Sequence, residues 1–243
     1  FQAGMQEGCA RCGKATGVAT EVSLPLLTVL IPVHDRLTCL VETLTCLQKC
    51  LTSEVEVVVV DDASADGTAA TVAALFPECR VLRLPRRGGP SVARNAGLEI
   101  ARGRYFLPLD SDCFVVSENF LWLLERLAQS PEDLHLLLPC RSWAEPGPVA
   151  RTRPERVYST QDILLKTYGE VVPILPLSTL KHHRLLYPTL FAGGEPLLLV
   201  EVSRHQDLYY VDRLILEYRT DVPMRISGVE YQLAHAADIA DVI

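Results

Sequence analysis

The sequence predicts an α/β fold, a Rossmann-like and mostly parallel sheet flanked by helices, and three observations carry that expectation. Short valine- and leucine-rich runs alternate with stretches whose apolar residues recur at helical spacing. The alternation is regular from residue 26 to about residue 110, the pattern of βαβ units. Several of the apolar runs end in acidic or basic clusters. In a parallel sheet ligands bind beyond the carboxyl ends of the strands, so those clusters should share one edge.

Leu27–Val33 is a short apolar run suited to a buried strand, and Leu37, Leu40, Val41, Leu44 and Leu47 then follow at helical spacing. Residues 55–60 are nearly all valine, the composition of a parallel strand covered on both faces. Asp66-Gly67-Thr68 opens a second helix through Leu75, and residues 80–84 form a third strand. Residues 90–101 form a helix with proline in its first turn, where the missing N–H costs nothing. Residues 105–109 make a fourth strand that ends in Asp110-Ser111-Asp112. Further on, a helix is expected at 119–127, a strand at 134–139 and a helix at 161–168. Residues 141–156, rich in proline and arginine, read as an exposed loop. The apolar run 197–202 fits a helix starting at Glu195-Pro196 or a strand. Residues 208–218 fit one or two strands, and 231–242 a terminal helix.

The chain has 243 residues, 49% hydrophobic, enough for one well-buried domain. Its net charge of -7 argues against nucleic acid or an anionic membrane as a partner held by bulk charge. No apolar run is long enough to cross a bilayer, which leaves open a soluble acceptor or a lipid-linked one reached by transient membrane association. Residues 1–23 read as a flexible leader, with Phe1 to Gly4 ahead of Met5 a tag remnant. The eight cysteines are scattered, several in periodic apolar stretches, which suits free thiols in a reducing cytoplasm. Cys9 and Cys12 form a lone C-x-x-C without the second pair a zinc site needs.

Four clusters carry chemistry. Asp110 and Asp112, one residue apart at a strand end, form a compact hard-oxygen site of the kind Mg²⁺ or Mn²⁺ prefers. The alternative is a solvated turn. Asp62 can accept from a nucleobase imide or a ribose hydroxyl, while Asp61 and Asp66 also suit turn and helix caps. Gly89 to Gly97 spans a loop-to-helix junction whose free amides suit an anion, with Arg86 and Arg87 just upstream. Arg94 there can reach a phosphate or pair with the acidic clusters. Glu195 can take a proton from an acceptor hydroxyl, or serve only as a helix-terminal carboxylate. His182 and His183 are adjacent, a poor geometry for chelating one ion, and are read as loop residues.

These segments together resemble the inverting glycosyltransferases of family 2, which have the GT-A fold. The resemblance lies in residues 29–36 (VLIPVHDR), 58–68 (VVVDDASADGT), 89–97 and 109–112 (LDSD), with a weaker continuation at Gly194-Glu195 and at 211–219. It implies a GT-A domain over 24–228, its nucleotide-binding half at 24–113 and its acceptor half at 114–228, before a C-terminal helix at 229–243. It implies a nucleoside-diphosphate sugar donor, most simply a UDP-sugar, a carbohydrate or other hydroxyl acceptor, and Mn²⁺ or Mg²⁺. By position, Pro32, Val33, His34 and Arg36 line the base pocket and Asp62 holds the base, beside Ser64. Arg87 and Gly89 bind the nucleotide as well, and Arg94 lies near the diphosphate or orders the site. Asp110 and Ser111 contact ribose or metal, Asp112 is the main metal ligand, and Glu195 is the catalytic base.

Three departures from the family pattern stand out: Arg87 where asparagine is frequent, Pro196 in place of the aspartate after Glu195, and Asp221 where a metal-ligating histidine is frequent. Asp221 still offers hard oxygen. A nucleotide-sugar-binding module without catalysis is the alternative, since the partner of Glu195 is missing. A sugar nucleotidyltransferase would need a glycine-rich loop after its first strand, and residues 31–36 contain no glycine. A phospho-receiver domain would account for Asp61 and Asp62 but for none of the later motifs.

Overall fold

The computed structural model describes residues 24–130, 134–142, 155–164, 171–189 and 195–221. The leader, most of the 141–156 loop and the C-terminal helix expected from the sequence lie outside these residues.

The first half of the chain folds as its periodicity predicts. Strand β1 (Leu27–Val33), helix α1 (Leu37–Gln48), β2 (Val55–Asp61), α2 (Thr68–Leu75), β3 (Arg80–Arg83), α3 (Pro90–Ile100) and β4 (Tyr105–Pro108) alternate along the chain. β1 lies between β2 and β4, and β2 pairs with β3, every pairing parallel. The order β3-β2-β1-β4 therefore puts the carboxyl ends of all four strands on one edge.

Both faces of this sheet are covered, as the unbroken apolar runs require. Successive side chains of a strand point to opposite faces. Val29, Ile31, Val57 and Val59 accordingly join one buried cluster with Leu40, Leu44 and Leu47 of α1. Leu30, Val58 and Val60 join the other with Ala93 and Leu98 of α3. α3 approaches closely because Gly97 has no side chain: a Cβ there would sit 2.2 Å from Leu30 Cδ1.

The second half departs from the simple alternation. β5 (Cys113–Val115), α4 (Ser117–Ala128), β6 (Leu136–Ser142), β7 (Arg156–Tyr158), α5 (Thr160–Leu164), β8 (Val171–Pro176), α6 (Leu177–His182), α7 (Glu195–Ser203), β9 (Leu208–Tyr210) and β10 (Leu216–Tyr218) follow. β8 runs antiparallel between β4 and β6 and joins the two halves into one sheet. No periodicity announced it, because Pro173 and Pro176 argue against a strand. The stagger removes the objection: only Leu175 and Pro176 pair with β4, so Pro173 has a strand on one side only.

Three expectations are settled or corrected here. Residues 197–202 belong to a helix, and 208–218 hold two strands. His182 is not a loop residue but ends α6. Among the described residues no helix is long and apolar enough to cross a membrane.

Candidate functional site

The turn after β1 and the turn after β2 are built on each other. The Asp62 amide donates to Val33 O at 2.8 Å, continuing the strand pairing by one residue. His34 Nδ1 donates to Asp62 O at 2.7 Å, which fixes the ring tautomer by the bond it makes. Asp35, at φ +48°, donates its amide to Ser64 Oγ and accepts from the Ala65 amide. Ala63 also has positive φ, +57°. Two non-glycine residues in the left-handed region mark turns held by their surroundings.

Asp61 and Asp62 face different partners, which removes their mutual repulsion. Asp61 is fully buried. Its Oδ1 accepts from the Ser64 amide at 2.8 Å and its Oδ2 lies 2.6 Å from Arg83 Nη1. Asp62 accepts from the Gly88 and Gly89 amides at 2.7 and 2.8 Å. The residue expected to hold a base thus anchors the loop ahead of α3, and each of its oxygens retains a second lone pair. Gly89 has φ +83°, which turns its amide onto Asp62 while it caps α3. Arg87 is exposed in the same loop.

The Asp-Ser-Asp segment follows β4 on the same edge. Leu109 still donates to Leu30 O at 3.0 Å, and the chain then leaves the sheet. Ser111 is buried, its carbonyl accepting from Thr43 Oγ1 of α1 at 2.9 Å. Asp110 and Asp112 flank it. The Asp110 side chain is 56% exposed and pairs with Arg94 Nη2 at 2.6 Å. The Asp112 side chain is 8% exposed and pairs with Arg36 Nη1 at 3.1 Å. Pro32 and Val33 are buried at the end of β1, directly before the turn that carries His34 to Arg36.

Ligand atoms of Asp110, Asp112 and Cys113 lie within 4.8 Å of one another, the one such group of three among the described residues. The two carboxylates fit a hard divalent cation, and each is paired with a guanidinium, Asp110 with Arg94 and Asp112 with Arg36. Cys113 adds a thiol that burial, with the Asp110 and Asp112 charges, pushes well up. Asp221 is not brought into this group. Both its oxygens accept from Arg219, at 2.9 and 2.7 Å, and that ion pair holds its carboxyl at about 2. Arg219 also reaches Glu42, and its amide donates to Asp112 O at 3.0 Å.

Arg94 is the hub of the site. Its side chain is 5% exposed, and one guanidinium holds both Asp110 and Glu195. Burial alone would favour losing its proton; the Glu195 and Asp110 carboxylates outweigh burial and raise its affinity for it. Glu195 opens α7, its side chain 47% exposed, 101 residues along the chain from Arg94. Of the two roles open to Arg94, pairing with the acidic clusters is the one seen. The Arg94 Nε has no hydrogen-bond partner among the described residues. Two residues near Arg94 were not singled out in the sequence. Tyr187 places its ring centroid 5.3 Å from the guanidinium carbon, and Asn95 holds Tyr187. Asn95 lies inside the quoted 89–97 motif, whereas Tyr187 sits in a segment with no local signal. His183, read as a loop residue, stacks on His205 at 4.0 Å.

The family model described as glycosyl transferase family 2 matches residues 28–173, more than half of the chain. The succinoglycan biosynthesis protein ExoO of Rhizobium meliloti is 52% identical over 73 residues, 30% of this chain and 21% of that protein. Glycosyltransferase GlyG of Streptococcus pneumoniae is 30% identical over 110 residues, 44% of this chain and 36% of that protein. Among solved structures, S. aureus TarS 1-349 in complex with UDP-GlcNAc superposes with a TM-score of 0.71 at 19% identity, over 89% of this chain and 66% of that one. The mannosyltransferase PcManGT of Pyrobaculum calidifontis, in complex with GDP-Man and Mn²⁺, gives 0.61 at 18%, over 88% and 62%. The solved structures share the fold. This chain spans under two thirds of each of these proteins.

Proposed function

The chain belongs to glycosyl transferase family 2, and from that premise we propose that it transfers a sugar from a nucleoside-diphosphate donor, a UDP-sugar, to an acceptor hydroxyl with inversion. One observation carries the reading. The strand-end clusters of β1, β2 and β4 share one edge, and there Arg94 ties Asp110 to Glu195.

In this reading the turns after β1 and β2 hold the nucleoside, with Pro32, Val33, His34, Asp62 and Ser64 around the base and ribose. Arg36 also lines the base pocket, Arg87 and Gly89 lie toward the diphosphate, and Ser111 lies by the ribose or metal. Asp110 and Asp112 hold Mn²⁺ or Mg²⁺, which when bound supplies positive charge to the departing diphosphate. Glu195 takes the proton of the acceptor hydroxyl as that oxygen attacks the anomeric carbon from the face opposite the leaving group. Arg94 keeps Glu195 and Asp110 a fixed distance apart and balances their charge. TarS structures with UDP and UDP-GlcNAc support a UDP-sugar donor, and PcManGT with GDP-Man and Mn²⁺ supports the metal. The acceptor is a carbohydrate or other hydroxyl compound. Free thiols at Cys39, Cys46, Cys50, Cys79, Cys113 and Cys140 support a cytoplasmic setting.

A second reading, a nucleotide-sugar-binding module without transfer, draws on Pro196 following Glu195 and on Arg94 occupying the Glu195 carboxylate. Titration calorimetry with UDP, with and without Mn²⁺, on the wild type and on Asp112→Ala tests the donor site. Metal-dependent binding that Asp112→Ala loses is the expected result. No UDP binding with or without Mn²⁺ would overturn the UDP reading. Metal-dependent binding without transfer from any UDP-sugar would favour the binding module.

A further inference from the structure

We propose that Asn95 and Tyr187 are positioning residues that set the Arg94 guanidinium, and through it the spacing of Asp110 and Glu195. The inference rests on the transferase reading above.

The geometry begins with a clamp. Asn95 Nδ2 donates to Tyr187 O at 2.8 Å, and the Tyr187 amide donates to Asn95 Oδ1 at 2.9 Å. One side-chain amide thereby satisfies both main-chain polar groups of Tyr187, as a neighbouring strand would. Arg94 and Asn95 are consecutive on α3, so their side chains leave the helix about 100° apart. One points into the site and the other holds the 183–189 segment that follows α6. The clamp delivers Tyr187, a residue 2% exposed, to Arg94, with its ring centroid 5.3 Å from the guanidinium carbon.

Arg94 needs that support. A planar guanidinium that serves two carboxylates at once must hold one rotation, since each carboxylate takes a different terminal nitrogen. Both carboxylates are about half exposed and give it little confinement. Its Nε has no partner among the described residues to fix the plane. The aromatic face supplies an attraction that does not compete for the terminal nitrogens. Losing the ring, or the clamp that delivers it, lets the guanidinium turn and frees Glu195 from its distance to Asp110.

The experiment compares wild type, Asn95→Ala, Asn95→Asp, Tyr187→Leu and Tyr187→Phe. The first readout needs no donor: heteronuclear NMR of the Arg94 Nε–Hε group in the unliganded protein. Restricted motion in the wild type and Tyr187→Phe, with free rotation in Asn95→Ala and Tyr187→Leu, is expected. The second readout is kinetic. In Tyr187→Leu and Asn95→Ala, kcat falls roughly 10- to 100-fold, the scale of a small misplacement of a reacting group. UDP affinity with Mn²⁺ stays within about twofold, and Tyr187→Phe, which keeps the ring, restores kcat. Asn95→Asp keeps the size of the side chain but cannot donate to Tyr187 O, so a folded Asn95→Asp shows the same loss. Combination with Arg94→Lys adds no further loss, because both changes act through one group. An unmoved Arg94 signal in Asn95→Ala and Tyr187→Leu, equal kcat in Leu and Phe variants, or additive losses with Arg94→Lys would overturn the proposal. A wild type that neither binds UDP nor transfers sugar would instead overturn the transferase reading, with the NMR readout still deciding the role of the clamp.

Discussion

Arg36 Nη1 lies 3.1 Å from Asp112 Oδ2, so a guanidinium of the turn after β1 sits on a carboxylate that the proposed function assigns to a divalent ion. The pair is mostly shielded from solvent, at 20% and 8% side-chain exposure. In the proposed function, cation and guanidinium compete for one oxygen.

That competition predicts the behaviour of Arg36→Gln. Removing the guanidinium takes away an attraction of about 1 kcal/mol, so Mn²⁺ binding to the nucleotide-free protein tightens roughly fivefold. Calorimetric titration of Mn²⁺ checks it; unchanged or weaker binding would show that Arg36 does not oppose the ion.

Glu195→Gln keeps the shape of the side chain and a hydrogen bond to Arg94 while removing the basic oxygen. As the proposed general base, it should lower kcat by about 10²–10⁴ and leave UDP affinity nearly unchanged. Steady-state kinetics with calorimetry on the same preparation separates the two quantities. A full kcat in this variant would remove Glu195 from the reaction.

Gly103→Ala is expected to destabilise the nucleotide half. A Cβ there would lie 2.5 Å from the Thr28 amide nitrogen and 2.8 Å from the Leu27 carbonyl carbon, main-chain atoms that cannot swing aside. Overpacking of this kind costs about 1–3 kcal/mol, and thermal unfolding should fall by ~2–4 °C per kcal/mol. A melting temperature equal to the wild type would show that β1 shifts freely.

Glu56 gives a pH prediction. Burial, at 3% side-chain exposure, pushes its carboxyl up; the Thr28 hydroxyl, the Arg102 amide and the Arg80 and Arg102 guanidinium groups outweigh burial and hold it at about 2. The folded value is below the ordinary value of 4.5, so the stabilisation is complete above pH 4.5 and is lost as pH falls toward 2. The contribution is on the order of 3 kcal/mol. Urea unfolding of wild type between pH 5 and pH 2 should show that loss, and Glu56→Gln should flatten it. Parallel pH profiles for the two proteins would assign acid sensitivity elsewhere.

What the sequence determined by itself lies where the signals are local. The valine run of β2, the helical spacing of α1 and the proline opening α3 each state their own conformation within a few residues. Parallel strands then put the acidic ends at 61–62 and 110–112 on one edge. β8 escaped because its prolines oppose a strand, and its place depends on a stagger between β4 and β6 that only the assembled sheet creates. The partners of the site residues escaped for a related reason. Asp62 meets the Gly88 and Gly89 amides, Arg36 meets Asp112 rather than only a base pocket, and Asp221 is drawn to Arg219 instead of the Asp110–Asp112 group. Arg94 meets Glu195 across 101 residues of chain. Residue type announces that a carboxylate needs a positive partner. Which partner it takes depends on distances through space: Asp62 and Asp112 meet theirs once β1, β2 and β4 are paired, and Arg94 meets Glu195 only once the second half of the chain has been joined to them.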